Sequence, residues 1–445
     1  MVSADPSAIR CAWNRDLQRW WSRSRGEAET SGEQAMKRRH FLNSFAGAGG
    51  AMLAAGLPAK PPSGMKIKRV RYYQSAGDAA LRRSSVPGLF NQSTNVVVVE
   101  TDAGLSGIGE GGSKDTIEQC AAAIIGMDPF RTEQIWQILY RAYFYPAGRE
   151  KLHALGALDT ALWDIKGKAL GVPVHRLLGG PTRDHIECYA TGYPSRGTLK
   201  ETARACVEAG YRAFRIGPAD GNPWDRFEMT QKTFEHCREA REGVGKDGAW
   251  AVDFHTRFDM PDAVRLARLI EPLGPYFVED LIRSENPDVY RMLRGQVKVP
   301  IAVGEQFGAR WDINQLVEGH LIDYARVAIP NVGGITEFMK IAALCETHYV
   351  GLIPHFTGPI SEAALVHACA SFSGPVLMEM LPHATGPMPH LPRCFDFRDG
   401  KLWPNERPGL GVEFDDTKLT ELTVVSEYVA PIPIYRRPDG SFTNW

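Results

Sequence analysis

Three stretches decide the fold: Ala249-Trp250-Ala251-Val252-Asp253, Tyr276-Phe277-Val278-Glu279 and Pro300-Ile301-Ala302-Val303-Gly304-Glu305. Each is a short apolar run that closes on a carboxylate, and each is followed by an amphipathic stretch such as Asp262–Leu273. The acids stand at 253, 279 and 305, a constant spacing of 26 residues. From Glu187 onward the same strand, loop and helix rhythm recurs over nearly 200 residues, which predicts a parallel barrel of the TIM type. Strand ends are expected at Tyr189, Ile216, Asp253, Glu279, Glu305, Ile329, His355 and Glu379. A doubly wound open sheet is the rival fold, but no GxGxxG opens a helix after the first strand.

Upstream of the barrel the order is different. Ile67–Tyr73 and Thr94–Glu100 read as strands, and Asp102-Ala103-Gly104 reads as a turn before Ser106–Glu110. Helical patterns follow at Asp115–Ile125, Thr132–Tyr143 and Leu152–Ala169. The fold class is therefore α/β, with an N-terminal α+β domain at 65–185 and a barrel at 186–380. Residues 381–445, rich in Pro and Gly through Gly411, are expected to run back over the first domain. At the N-terminus, Lys37-Arg38-Arg39-His40-Phe41-Leu42 precedes a small, weakly apolar run from Ser44 to Leu57, too short to span a bilayer. Residues 36–64 resemble a twin-arginine export signal, which makes the periplasm the expected location and the cytoplasm the alternative. Residues 1–35 then read as an upstream extension.

Bulk composition excludes several classes. The chain has 445 residues, 44% hydrophobic and 23% charged, the mix of a globular enzyme. A net charge of −1 gives no electrostatic case for nucleic acid or an anionic membrane surface. The eight cysteines are scattered without a CxxC pair, which argues for free thiols over a disulfide framework or a zinc site.

In a parallel barrel all strand C-termini open on one face, so Asp253, Glu279 and Glu305 should converge although they are far apart in sequence. Three carboxylates in one place repel one another and raise their own pKa values unless a cation neutralises them. An all-oxygen site with room for water suits Mg²⁺, the expected cofactor.

Beyond these acids, two groups of motifs carry a family resemblance. The first is Ala157-Leu158-Asp159-Thr160-Ala161-Leu162-Trp163-Asp164-Ile165-Lys166-Gly167-Lys168, with Gly171-Val172-Pro173-Val174 and Leu177-Leu178-Gly179-Gly180. The second is Val278-Glu279-Asp280, Val303-Gly304-Glu305-Gln306 and Asn331-Val332-Gly333-Gly334-Ile335-Thr336. Together they resemble the mandelate racemase branch of the enolase superfamily across residues 66–445, nearest in pattern to galactonate-type acid-sugar dehydratases. The resemblance implies a capping domain, a modified (β/α)₇β barrel and Mg²⁺-assisted removal of the proton α to a carboxylate. Enzymes of this superfamily use a Lys or His base with one or two Mg²⁺ ions. It implies roles for single residues as well. His355, in Ile353-Pro354-His355-Phe356, matches the histidine base, and His255, in Asp253-Phe254-His255, the acid that protonates a departing hydroxyl. Glu379, in Met378-Glu379-Met380, matches an electrophilic glutamate that donates a hydrogen bond when protonated. Members of the family often form homo-oligomers.

The sequence also departs from the pattern. Arg215-Ile216-Gly217 replaces Lys-x-Lys on the second strand, which argues against a two-base racemase. Mannonate dehydratases also carry Arg at that position, with a partner Tyr in the following loop, but 220–249 contains no Tyr. Pro330-Asn331 is read as occupying the Pro-Asp position of the residue that orients the base, so Asn331 is expected to hold His355 without stabilising its cation. The expected function is a Mg²⁺-dependent hydro-lyase that removes water from an aldonate to give a 2-keto-3-deoxy acid. Two alternatives stay open: a one-base epimerase on the same metal site, and an inactive metal-dependent sugar-acid binder. Substrate choice is expected in capping-domain loops within Tyr72–Gln92, which carry Arg82 and Arg83.

Overall fold

The computed structural model describes residues 64–75, 93–141, 145, 147–221, 226–431 and 434–443. The upstream extension, nearly all of the export-type segment, and the Arg82–Arg83 loop lie outside the described residues.

The N-terminal part is a four-stranded sheet in the order β14-β1-β2-β3, with every pair antiparallel. Its strands are β1 (Ile67–Gln74), β2 (Val96–Thr101), β3 (Ser106–Glu110) and β14 (Thr420–Val425), so the end of the chain completes the sheet begun at its start. Alternation drives the pairing. Val97 and Val99 join Ile67, Val70 and Tyr72 in a core closed by the helix Arg149–Leu170.

The barrel has eight parallel strands. They are β4 (Ile186–Thr191), β5 (Ala213–Ile216), β6 (Ala249–Asp253), β7 (Val278–Glu279), β8 (Ile301–Val303), β9 (Tyr324–Ala325), β10 (Gly351–Leu352) and β11 (Met378–Met380). Each pairs with the next through β10. β11 pairs with β4, and a Leu352–Val376 bridge closes the ring. A helix connects each consecutive pair of strands, which makes the barrel (β/α)₇β. The hairpin β12 (Asp396–Arg398) and β13 (Lys401–Trp403) adds antiparallel to β4 near Ile186 and Glu187. The sixth strand departs furthest from the sequence reading. β9 stops at Ala325, and Ile329, expected at its end, opens a short helix to Val332.

The two motif groups that carry the resemblance are each other's partners. The Asp159 carboxylate accepts hydrogen bonds from the Thr336 backbone N–H (2.9 Å) and hydroxyl (2.6 Å). Trp163 donates its ring N–H to the same hydroxyl at 2.8 Å, and Trp136 donates to the Gly333 carbonyl at 2.8 Å. Burial pushes the Asp159 carboxyl up to about 7 against these bonds. Gly334 makes the joint possible. Its φ is +99°, and a Cβ there would lie 2.4 Å from Asp159 Oδ2. Gly334→Ala is expected to destabilise the protein by about 2–4 kcal/mol through backbone strain and overpacking, which should lower Tm by several degrees. A melting curve matching wild type would show that this joint tolerates movement.

The seven described cysteines are free, six of them buried. Among the described residues, no helix is long and apolar enough to cross a membrane.

Candidate active site

Strand alternation builds the site. The innermost layer of the barrel is Tyr189, Ala213, Ala251, Phe277, Ala302, Ile353 and Leu377. Two residues further toward the mouth, the same faces carry Thr191, Arg215, Asp253, Glu279, His355 and Glu379. β8 is the exception, because Ala302 is followed at that spacing by Gly304 with φ +145°. A Cβ on Gly304 would meet the Arg326 backbone at 3.1 Å. The glycine turns the chain so that Glu305, two residues past β8, enters the ring. His355, three residues past β10, places Nε2 3.5 Å from Glu305 Oε2. His255 Nε2 lies 4.0 Å from Glu305 Oε1.

Two arginines, Arg326 buried and Arg215 nearly so, organise the acids. Arg215 Nη1 donates to Asp253 Oδ2 at 2.8 Å and to Glu279 Oε2 at 2.7 Å, and its Nη2 lies 3.3 Å from Glu379 Oε1. Arg326, fully buried, donates to Glu279 Oε1, to Glu379 Oε2 (2.8 Å) and to the Tyr189 hydroxyl (2.8 Å). Its Nη2 also lies 3.6 Å from Glu305 Oε2. Four carboxylates thus face two guanidinium groups, an excess of two negative charges in a low-dielectric setting. Burial, then repulsion from Glu279, pushes Asp253 up to about 6 although Arg215 pulls it down. Glu279 is raised by burial too, against both arginines. Asp280, behind the ring, is raised well above the usual range by burial and by Glu305 and Glu279. Its Oδ2 is buried without a hydrogen-bond partner.

This donor set fits a divalent cation. It is all carboxylate oxygen, it carries two uncompensated charges, and an arginine nitrogen already bridges Asp253 and Glu279. The acids whose ligand atoms come within 4.8 Å of one another are Glu279, Asp280 and Glu305. Asp253, expected as a ligand, stands outside that group, with Oδ2 on Arg215 and Oδ1 accepting the His255 N–H at 2.6 Å. It nevertheless pairs in register with Glu279 on the inner face, whereas Asp280 has the opposite strand parity.

Two expectations need correction. The resemblance implies a protonated, donating Glu379, but here it is an acceptor. Burial alone would raise its pKa, yet Arg326, Arg215 and His355 hold it well below the usual carboxylate range. Thr191 Oγ1 (2.7 Å) and the Phe356 N–H (3.0 Å) also donate to it. Asn331 does not orient His355. Its amide donates to the Glu305 carbonyl at 2.8 Å, and His355 Nδ1 is buried without a partner. Burial would lower the pKa of Arg215, but Glu279, Glu379 and Asp253 around it raise it, so it stays a cation that holds the acids. His355 itself is neutral. Burial, then Arg326, pushes its pKa down to about 3.

Sequence reasoning missed Arg326 and Asp280. Arg326 sits two residues after Tyr324, so strand alternation was the available signal, but the strand was drawn too long to reveal it. Asp280 adjoins a predicted ligand and has φ 42°; His255 and Thr256, at 50° and 55°, are also left-handed. Strain of this kind clusters at functional sites.

A cavity of about 390 Å³ is lined by His255, Glu305 and His355 together with Arg149, His153 and Arg283. That size suits a small organic ligand.

Comparison with known proteins agrees with this architecture. Residues 81–179 match the family described as "Mandelate racemase / muconate lactonizing enzyme, N-terminal domain", and residues 198–418 match "Enolase C-terminal domain-like". A D-mannonate dehydratase from Caulobacter sp. (strain K31) is 35% identical over 353 residues, covering 72% of this chain and 86% of that protein. A D-galactonate dehydratase from Pectobacterium atrosepticum is 35% identical over 367 residues, covering 78% and 95% respectively. Among solved structures, a member of the enolase superfamily from Salmonella Typhimurium superposes with a TM-score of 0.71 at 25% identity, over 81% of this chain and all of that one. With both domains matched and the three strand-end acids at the mouth of a (β/α)₇β barrel, this chain belongs to the mandelate racemase/muconate lactonizing enzyme branch of the enolase superfamily.

Proposed function

We propose that the protein is a Mg²⁺-dependent dehydratase of a sugar acid, an aldonate, forming a 2-keto-3-deoxy acid. The observation that carries this reading is the pair of histidines flanking Glu305, 3.5 and 4.0 Å away, in one cavity above an acid cluster with uncompensated charge. The dehydratase names of the mannonate- and galactonate-acting relatives support it. Asp253, Glu279 and Glu305 would hold Mg²⁺, with the Asp280 carboxyl beside them. Bound there, Mg²⁺ supplies Lewis-acid stabilisation of charge on the substrate carboxylate.

The chain's own residues divide the proton chemistry. His355 is neutral at every ordinary pH, so Nε2 can accept the α-proton, and Glu305 at 3.5 Å gives the resulting imidazolium a counter-charge. His255 has a side chain 57% exposed at the mouth, where it can exchange protons with solvent and deliver one to the leaving β-hydroxyl. Arg215 and Arg326 keep Glu379 ionised and fixed. Export through the Arg38-Arg39 segment is part of the proposal.

The test is a library of acid sugars incubated with purified protein and Mg²⁺, scored for 2-keto acid. At least one aldonate is expected to be dehydrated, and chelation should abolish the signal. Exchange of the α-proton without loss of hydroxyl would replace this reading with the epimerase. Neither exchange nor dehydration with any acid would leave the binder.

A further inference from the structure

Part of the cavity lining is not used by the chemistry above. Arg149 and His153 stand four residues apart at the start of the helix Arg149–Leu170, so their side chains share one face. Both line the cavity that holds His255, Glu305 and His355. Arg149 Nε is 3.7 Å from Asp312 Oδ2, beyond hydrogen-bond distance, and its side chain is 42% exposed. Asp312 is itself fixed, because Oδ2 accepts the Gly308 N–H at 2.8 Å. Arg149 is therefore aimed by a pinned carboxylate while its N–H donors stay available. Arg283, which lines the same cavity, is already committed to Glu285.

A guanidinium has five donors and no acceptor, so it selects oxygens that accept hydrogen bonds. A sugar acid lying in this cavity with its carboxylate toward the acid cluster would have its hydroxylated tail to place against the remaining lining, which includes Arg149. We propose that Arg149 is a specificity-determining residue that reads the terminal hydroxyls of a six-carbon aldonate and thereby measures substrate chain length. The inference rests on the sugar-acid reading above. It differs from it in naming a residue of the capping-domain helix, outside the acid–base machinery, as the source of chain-length choice.

The test is calorimetric binding of six-carbon aldonates and of four-carbon threonate to the Mg²⁺-loaded full chain. Wild type should bind at least one six-carbon acid more tightly than threonate. In Arg149→Met the ratio of the two dissociation constants should fall about tenfold or more, the scale of a lost hydrogen bond to a charged group. Arg149→Lys, which keeps the charge but not the fork, should lower the ratio in the same direction by less. An unchanged ratio in a folded Arg149→Met protein overturns the inference, as does tighter binding of six-carbon aldarates than of aldonates. Chain-length-dependent binding without turnover would sink the dehydratase reading and leave this one standing. No binding of any aldonate would sink both.

Discussion

Glu279→Gln should lower Mg²⁺ affinity at least about tenfold, the usual scale for a lost metal-site interaction. The substitution keeps shape and removes one charge from a carboxylate that no solvent reaches. Two effects act in the same direction. The cation loses a ligand charge, and Arg215 and Arg326, both bonded to Glu279, lose part of their counter-charge. Breaking a buried pair from one side costs about 3–5 kcal/mol, so a melting curve must accompany the titration. The pH dependence follows from Asp253. Its carboxyl, raised to about 6 mainly by burial, takes up a proton as pH falls through that value. A protonated carboxyl binds a cation poorly, so apparent Mg²⁺ affinity should be flat above about pH 7 and fall below 6. Calorimetry checks both expectations. Undiminished binding by a folded Glu279→Gln protein would remove Glu279 from the metal site.

What the sequence could and could not show follows from the range of the forces involved. Strand alternation is local, so the ends of β6 and β7, with Asp253 and Glu279, were legible from apolar runs closing on acids. The motif group at Ala157–Lys168 was equally visible as a pattern, but nothing in it says that Asp159 meets Thr336 177 residues later. β9 shows the opposite case. After Arg326 the chain continues Val327-Ala328-Ile329, all fully buried, so apolarity alone extends the strand past its true end. That error displaced the end of the sixth strand by four residues and hid the arginine that neutralises Glu279 and Glu379. The protonation state of Glu379 was out of reach for a related reason. It depends on cations from β5 and from the residue after β9, brought together only by closure of the ring. Asn331 was misplaced because its short helix, Ile329–Val332, carries it to the Glu305 carbonyl.

The two histidines should separate the two halves of the reaction. His355→Asn is expected to abolish both α-proton exchange with deuterated solvent and formation of 2-keto acid, since His355 Nε2, 3.5 Å from Glu305 Oε2, is the proton acceptor in this reading. His255, the second imidazole there, sits further out at 4.0 Å from Glu305 Oε1. His255→Asn is expected to keep exchange, because His355 can still take and return the proton, while product formation falls. Each loss should be on the order of 10²-fold or more, the scale of general acid–base catalysis. The pH dependence carries a second check. A histidine whose pKa is depressed to about 3 stays neutral above that pH, so its own protonation gives no acidic limb between pH 5 and 8. Exchange by wild type, measured at saturating Mg²⁺, should therefore hold level across that window. The low basicity has a cost, because a weak acceptor removes a proton slowly unless its cation is stabilised as it forms. Glu305 Oε2, 3.5 Å from Nε2, is placed to do this. Near wild-type dehydration by His355→Asn would move the base elsewhere. With Arg215 bound to three carboxylates, His255 would be the next residue to test.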